Sequence, residues 1–141
     1  MRRRSFRSTV LLLPSVFALL LLAACGSDPV QPVVPGVEPE ILNSPDTFQF
    51  QVSLVEACSG TLNYTWTNTG ALANVDQSSN VEPGQAVLTL MDADGMVVYT
   101  RDLSVDGSSA TDAGLAGDWQ VRVTLSGLTG TLNFRAEKRT P

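Results

Sequence analysis

Beyond Asp46 the chain adopts a period of two. Phe48, Phe50, Val52 and Leu54 alternate with Gln49, Gln51 and Ser53, an arrangement that in a strand sends one set to a core and the other to water. Leu62, Tyr64 and Trp66 repeat the pattern against Thr61, Asn63, Thr65 and Thr67, and Ala57-Cys58-Ser59-Gly60 between them reads as a hairpin connection. Ala71 to Val75 is a weaker strand, and Gln77 to Gly84 reads as a loop. Ala86 to Met91 and Met96 to Thr100 are two further runs joined by Asp92-Ala93-Asp94-Gly95, an Asp-Gly turn. Trp119, Val121, Val123 and Leu125 form an inward set, Ser126 to Gly130 a turn, and Leu132, Phe134 and Ala136 a last strand. With no amphipathic helix and Gly-containing turns at regular spacing, the pattern predicts an all-β domain over residues 46–139. Its architecture is an antiparallel β-sandwich, jelly-roll-like, of about seven or eight short strands.

The first 45 residues follow other rules. Arg2, Arg3, Arg4 and Arg7 precede an almost wholly apolar run from Val10 to Leu22, followed by Ala23, Ala24 and Cys25. Charge, apolar run and small residues make up the three-part build of a secretory signal, and the 15 residues from Val10 to Ala24 are short of the roughly 20 that a spanning helix needs. Leu22-Ala23-Ala24-Cys25 resembles the lipobox of bacterial lipoproteins. Membership of that class implies a lipid on the Cys25 sulfur, removal of residues 1–24 and attachment to a membrane. Because Gly26 rather than aspartate follows the cysteine, the same resemblance implies the outer membrane over the inner. Residues 25–45 hold five of the eight prolines, which favour extended backbone and predict a semi-rigid tether.

Charge and composition narrow the function. The chain has 9 basic and 14 acidic residues, and four of the basic ones lie before the apolar run, leaving 5 against 14, or −9. Nucleic acid is not expected as a partner, because an acidic module of that kind lacks the basic footprint that displaces counterions from a phosphate backbone. The absence of histidine removes His-dependent triads and His-containing zinc sites. No GxSxG elbow or Gly-rich phosphate loop occurs, and pairs among so many carboxylates are uninformative.

The stretch LTLMDADGMVVY with Gly117 to Val123, Gly127, Gly130 and Phe134 is similar to bacterial pre-peptidase C-terminal domains. The resemblance implies a jelly-roll-like sandwich with a binding or secretion role and, in some members, calcium. Asp92 and Asp94 are accordingly the candidate calcium ligands, although the Asp-Gly turn accounts for them without metal. Trp66 and Trp119 share strand faces with apolar neighbours and read as core in preference to sugar-stacking platforms. The opposite face carries Thr61, Asn63, Thr65 and Thr67, the candidate ligand-binding face. Gln49, Gln51, Asn133 and Arg135 extend it if their strands are neighbours. With Cys25 lipidated, Cys58 has no internal disulfide partner and is expected to be partly buried near a hairpin. The expected function is a non-catalytic binding or interaction module, anchored in the cell envelope and taking glycan or an envelope protein. The alternatives are a structural subunit of an envelope assembly and a small aspartate-dependent hydrolase.

Overall fold

The structure, a computed structural model, describes residues 34–141. The expected signal segment, Cys25 and the first part of the expected tether lie outside the described residues. Residues 34–141 form a jelly-roll-like antiparallel β-sandwich with no helix among the described residues, organised by two strands far longer than the alternation implied. These are β2 (Thr47–Asn68) and β8 (Gly117–Lys138), 22 residues each. They pair antiparallel from Thr47 opposite Glu137 to Asn68 opposite Gly117, with register shifts between Val52 and Gly60.

Those shifts are bulges, and they fold the ribbon back on itself. Fourteen residues of straight strand span about 46 Å, yet the rings of Phe50 and Tyr64, both on β2, lie 6.1 Å apart, and those of Phe48 and Tyr64 5.6 Å apart. The outer half of each long strand therefore belongs to one layer and the inner half to the other. The first layer runs β1 (Glu40–Ser44), the start of β2, the end of β8, β3 (Ala73–Gln77) and β7 (Gly107–Ala110). The second runs the end of β2, the start of β8, β5 (Gln85–Met91) and β6 (Val97–Asp102). At the corner β4 (Asn80–Val81) pairs with Gly130 and Thr131.

Two expected turns are corrected by this arrangement. Residues 57–60 and 126–130 do not close hairpins between short strands; they are the corners at which β2 and β8 pass from one layer to the other. The signal in the sequence is genuine, because a corner needs the same backbone freedom as a turn. Ala57 and Gly127 have φ of 50° and 56°, in the left-handed region. Gly130 has φ 138°, and a Cβ there would collide with the Asn80 carbonyl oxygen of β4.

The tether also ends earlier than its prolines implied. Val34 and Val37 are buried, Val34 filling the space over Gly60 that a side chain there would take. Glu40–Ser44 then pairs with β2 through the tight Pro45-Asp46 turn. Proline presets the first central position of a type II turn and Asp46, φ 67°, takes the second. Beyond this turn, β1 leaves the second half of β2 as an edge. The Asn43 amide donates to the Thr65 carbonyl (2.8 Å) and the Asp46 N–H to that of Thr67 (2.8 Å), blunting it against further strand pairing.

Between the layers lie Phe48, Phe50, Leu62, Trp66, Leu88, Leu90, Trp119, Leu128, Leu132 and Phe134, all essentially inaccessible. Trp66 and Trp119 stand opposite each other in register, edge to face at 5.7 Å and 80°, while Phe134 stacks on Phe50 at 5.2 Å. The corner is the fold's most constrained point. Gly130→Ala is expected to lower stability by about 2 kcal/mol or more, read as a shift of the urea midpoint with an unchanged slope; a neutral outcome would contradict this account of the corner.

Candidate functional site

Among the described residues each layer presents a polar surface, and the fold separates residues that the sequence had grouped. Thr61, Asn63, Thr65 and Thr67 project together, exposed, from the outer face of the second layer. Their registered neighbours on β8 are Thr124, Arg122, Gln120 and Asp118. Three of these four rungs are bonded to each other. The Thr67 hydroxyl donates to Asp118 (2.9 Å), Gln120 Nε2 to the Thr65 hydroxyl (3.2 Å) and Arg122 Nε to Asn63 Oδ1 (3.0 Å). Such cross-strand pairs contribute a few tenths to about 1 kcal/mol each to the sheet; a ligand here would compete with them.

Gln49, Gln51, Asn133 and Arg135 occupy the outer face of the first layer instead. In the register Gln49 opposes Arg135 and Gln51 opposes Asn133, so the four form a two-by-two block of amides and a guanidinium. The corners in β2 and β8 are the reason this block and the threonine face do not merge: each strand presents its polar stripe outward, but from opposite sides of the sandwich. β3 and β7 enlarge the block, since Arg135 also opposes Asp76, and Asp76 opposes Ser108, whose hydroxyl bonds the Asp76 carboxylate. Asp76 and Ser108 escaped the sequence reading. The alternation of Ala73, Val75 and Gln77, buried, with Asn74 and Asp76, exposed, was the signal that could have found the first of them.

This face is shallowly sculpted. A depression of about 260 Å³ is bordered by Gln49, Asp76, Ser108, Asn133 and Arg135, and others of about 250 and 300 Å³ flank Gln51 on the β1 side. Asn133 is fixed through its backbone, its N–H donating to the Ser79 hydroxyl (3.0 Å). Its side-chain amide is thereby held at a set point on the sheet. Arg135 pairs with Glu137 at 2.5 Å, both about half exposed, a contact worth little in water and readily exchanged for a ligand.

No family model and no curated protein matches the chain. Among solved structures, a carbohydrate-binding module from Cellvibrio mixtus lichenase 5A in complex with cellotriose is similar at 16% identity and TM-score 0.46, over 79% of this chain and 92% of its own. The accessory secretory protein 1, 2 and 3 structure from Streptococcus pneumoniae is similar at 14% identity and TM-score 0.37, over 76% and 92%.

The remaining sequence candidates have structural duties. Asp92 is buried and its Oδ1 accepts the N–H groups of Asp94 (3.1 Å) and Met96 (2.8 Å) while Oδ2 accepts that of Leu115 (2.9 Å). The carboxylate thus faces inward and Asp94 outward, so the two do not share an oxygen site. Among the described residues no three His, Cys, Asp or Glu side chains converge as a metal cluster would require. Both tryptophans lie in the core, and every aromatic ring among the described residues is buried. Cys58 is a free, buried thiol at the bulged corner, not at a hairpin, its Sγ 3.4 Å from the Glu56 carbonyl oxygen and 3.7 Å from that of Pro35.

At the end of the sandwich away from the corners, Asp46 accepts from Lys138 Nζ (2.6 Å) and from both the N–H (2.8 Å) and the hydroxyl (2.9 Å) of Thr69. The Lys138 hydrogen bond, then the Thr69 backbone, hold its carboxyl below the usual carboxylate range; the Leu115 N–H, followed by those of Met96, Asp94 and Gly95, does the same for Asp92. A carboxyl whose folded pKa is depressed stabilises fully above its unfolded value, and that contribution fades as pH falls through the folded value. Thermal melting from about pH 5 downward should therefore show a falling midpoint, and Asp92→Asn should flatten the acid limb while lowering the midpoint at neutral pH. An unchanged acid limb in this variant would show that the Asp92 bonds contribute no pH-dependent stability.

Proposed function

We propose that this chain is a lipid-anchored protein of the bacterial cell envelope, its β-sandwich a non-catalytic binding module whose ligand surface is the amide face of the first layer. The observation that carries the binding reading is the registered block of Gln49, Gln51, Asn133 and Arg135, flanked by shallow depressions. Side-chain amides offer two donors and an acceptor each, and a guanidinium offers a planar fork of donors. At strand spacing of about 4.8 Å such groups match the hydroxyls of successive sugar units. With no exposed aromatic ring among the described residues, recognition would rest on hydrogen bonds, which contribute about 0.5–1.5 kcal/mol each in exchange with water, and affinity would be modest. The Leu22-Ala23-Ala24-Cys25 stretch and the Gly26 after it support anchoring at Cys25 in the outer membrane.

The two halves of the proposal are tested separately. Intact-mass spectrometry of protein from its native host should show residues 1–24 removed and acyl chains on Cys25, and the Cys25→Ser form should leave the membrane fraction; a free thiol at that position would refute the anchor. For the ligand, retention on immobilised envelope polysaccharide should drop on the order of tenfold in the Gln51→Ala/Asn133→Ala double variant, with its melting midpoint unchanged. Equal retention of variant and parent protein, or none by either, would remove the amide face from consideration.

A further inference from the structure

Opposite the corners, the sandwich ends in two loops whose chemistry differs from both polar faces. Five large apolar side chains are exposed among the described residues, and three of them, Met96 (66%), Val97 (55%) and Leu115 (54%), belong to this end. The turn between β5 and β6 carries Met96, the first residue of β6 is Val97, and the loop before β8 carries Leu115. One carboxylate joins them: Asp92 Oδ1 takes the Met96 N–H and Oδ2 the Leu115 N–H.

Leu115 is held from every side. Its carbonyl accepts the Trp119 indole N–H (2.7 Å) and the Ala93 N–H (3.4 Å), and the neighbouring Gly114 packs so tightly on Asp92 and Val98 that a Cβ would stand 2.7 Å from the Asp92 Cβ. A buried carboxylate and a core tryptophan thus fix the backbone from which an apolar side chain stands in water. Folding gains nothing from that exposure, since apolar surface stabilises only when removed from solvent. A preorganised apolar patch does lower the ordering cost of association, and Met and Leu side chains adapt to a partner's contours.

We propose that this tip, built from residues 92–97 and 112–118, is a docking surface for a protein that offers an apolar pocket bordered by Lys or Arg. Charge complementarity selects that occupant. Asp94, Asp112 and Asp118 are exposed around the patch, and the cations of this end, Lys138 and Arg139, lie beyond the Ala71–Leu72 segment, which bonds Gly114 on one side and Arg139 on the other. An anionic lipid surface attracts basic segments and disfavours an acidic border. The patch also lies at the far end of the domain from the corner where Val34 docks over Gly60, so it faces away from the point at which the chain enters. This surface is distinct from the amide face and does not depend on it.

The test places a photoreactive benzoylphenylalanine at Val97 in the full chain, expressed in its host envelope, with Thr61 as the control position. Irradiation should join the Val97 position, and not Thr61, to one protein identified by peptide mass mapping. Met96→Asp and Leu115→Asp should each cut that product about tenfold, and Asp94→Lys should cut it as well, with melting midpoints unchanged; Met96→Gln serves where Met96→Asp alters the midpoint. Adducts to lipid, adducts to a second copy of this chain, no adduct, or a product indifferent to these substitutions would each overturn the proposal.

Discussion

Antiparallel pairing of β2 with β8 over their whole lengths is the constraint from which the architecture follows. Four of the six other strands bond to one of these two, and the two layers face each other only because both long strands turn the same corner together. Each layer is built on halves of the same two strands, so the domain is expected to open as a unit. The pairing also joins residues far apart in the chain, Thr47 with Glu137. Loop closure must therefore precede the gain from contact, and folding belongs among the slow, non-local topologies.

Much of this was legible. The period-two alternation marked the buried face of both long strands on either side of the corners, from Phe48 and Phe50 through Trp66 to Phe134, because a strand with one face in the core fixes its register; at the corners the parity breaks, and Val55 and Leu128 are buried there. What alternation does not encode is whether a glycine-rich interruption ends a strand or bends it. Ala57 to Gly60 and Ser126 to Gly130 satisfy the chemistry of a hairpin and of a bulged corner equally, and only long-range pairing decides between them. β1 was hidden for a related reason. Proline spacing described residues 25–45 as one extended tether, and nothing local to Glu40–Ser44 reveals that it pairs with the strand beyond Pro45.

The same corner governed what could be said of the sites. Two polar stripes with identical parity looked like one surface, and the bend places them on opposite sides of the molecule. The threonine stripe then engages its β8 neighbours, whereas the amide block borders shallow depressions. Asp92 shows the converse problem. Its Asp-x-Asp-Gly setting looks like a cation loop, and the difference lies in Leu115, a residue far along the chain whose N–H takes the oxygen that a metal would need.

The seating of Val34 over Gly60 has a mechanical meaning. Nine peptide units separate Cys25 from Val34, a reach of about 30 Å at full stretch. With the lipid proposed for Cys25, tension along those units would meet the apolar plug of Val34 and Val37 before it met any hydrogen bond of β1. The plug would act as a strain relief, letting the leash be tugged without unzipping the sheet behind it.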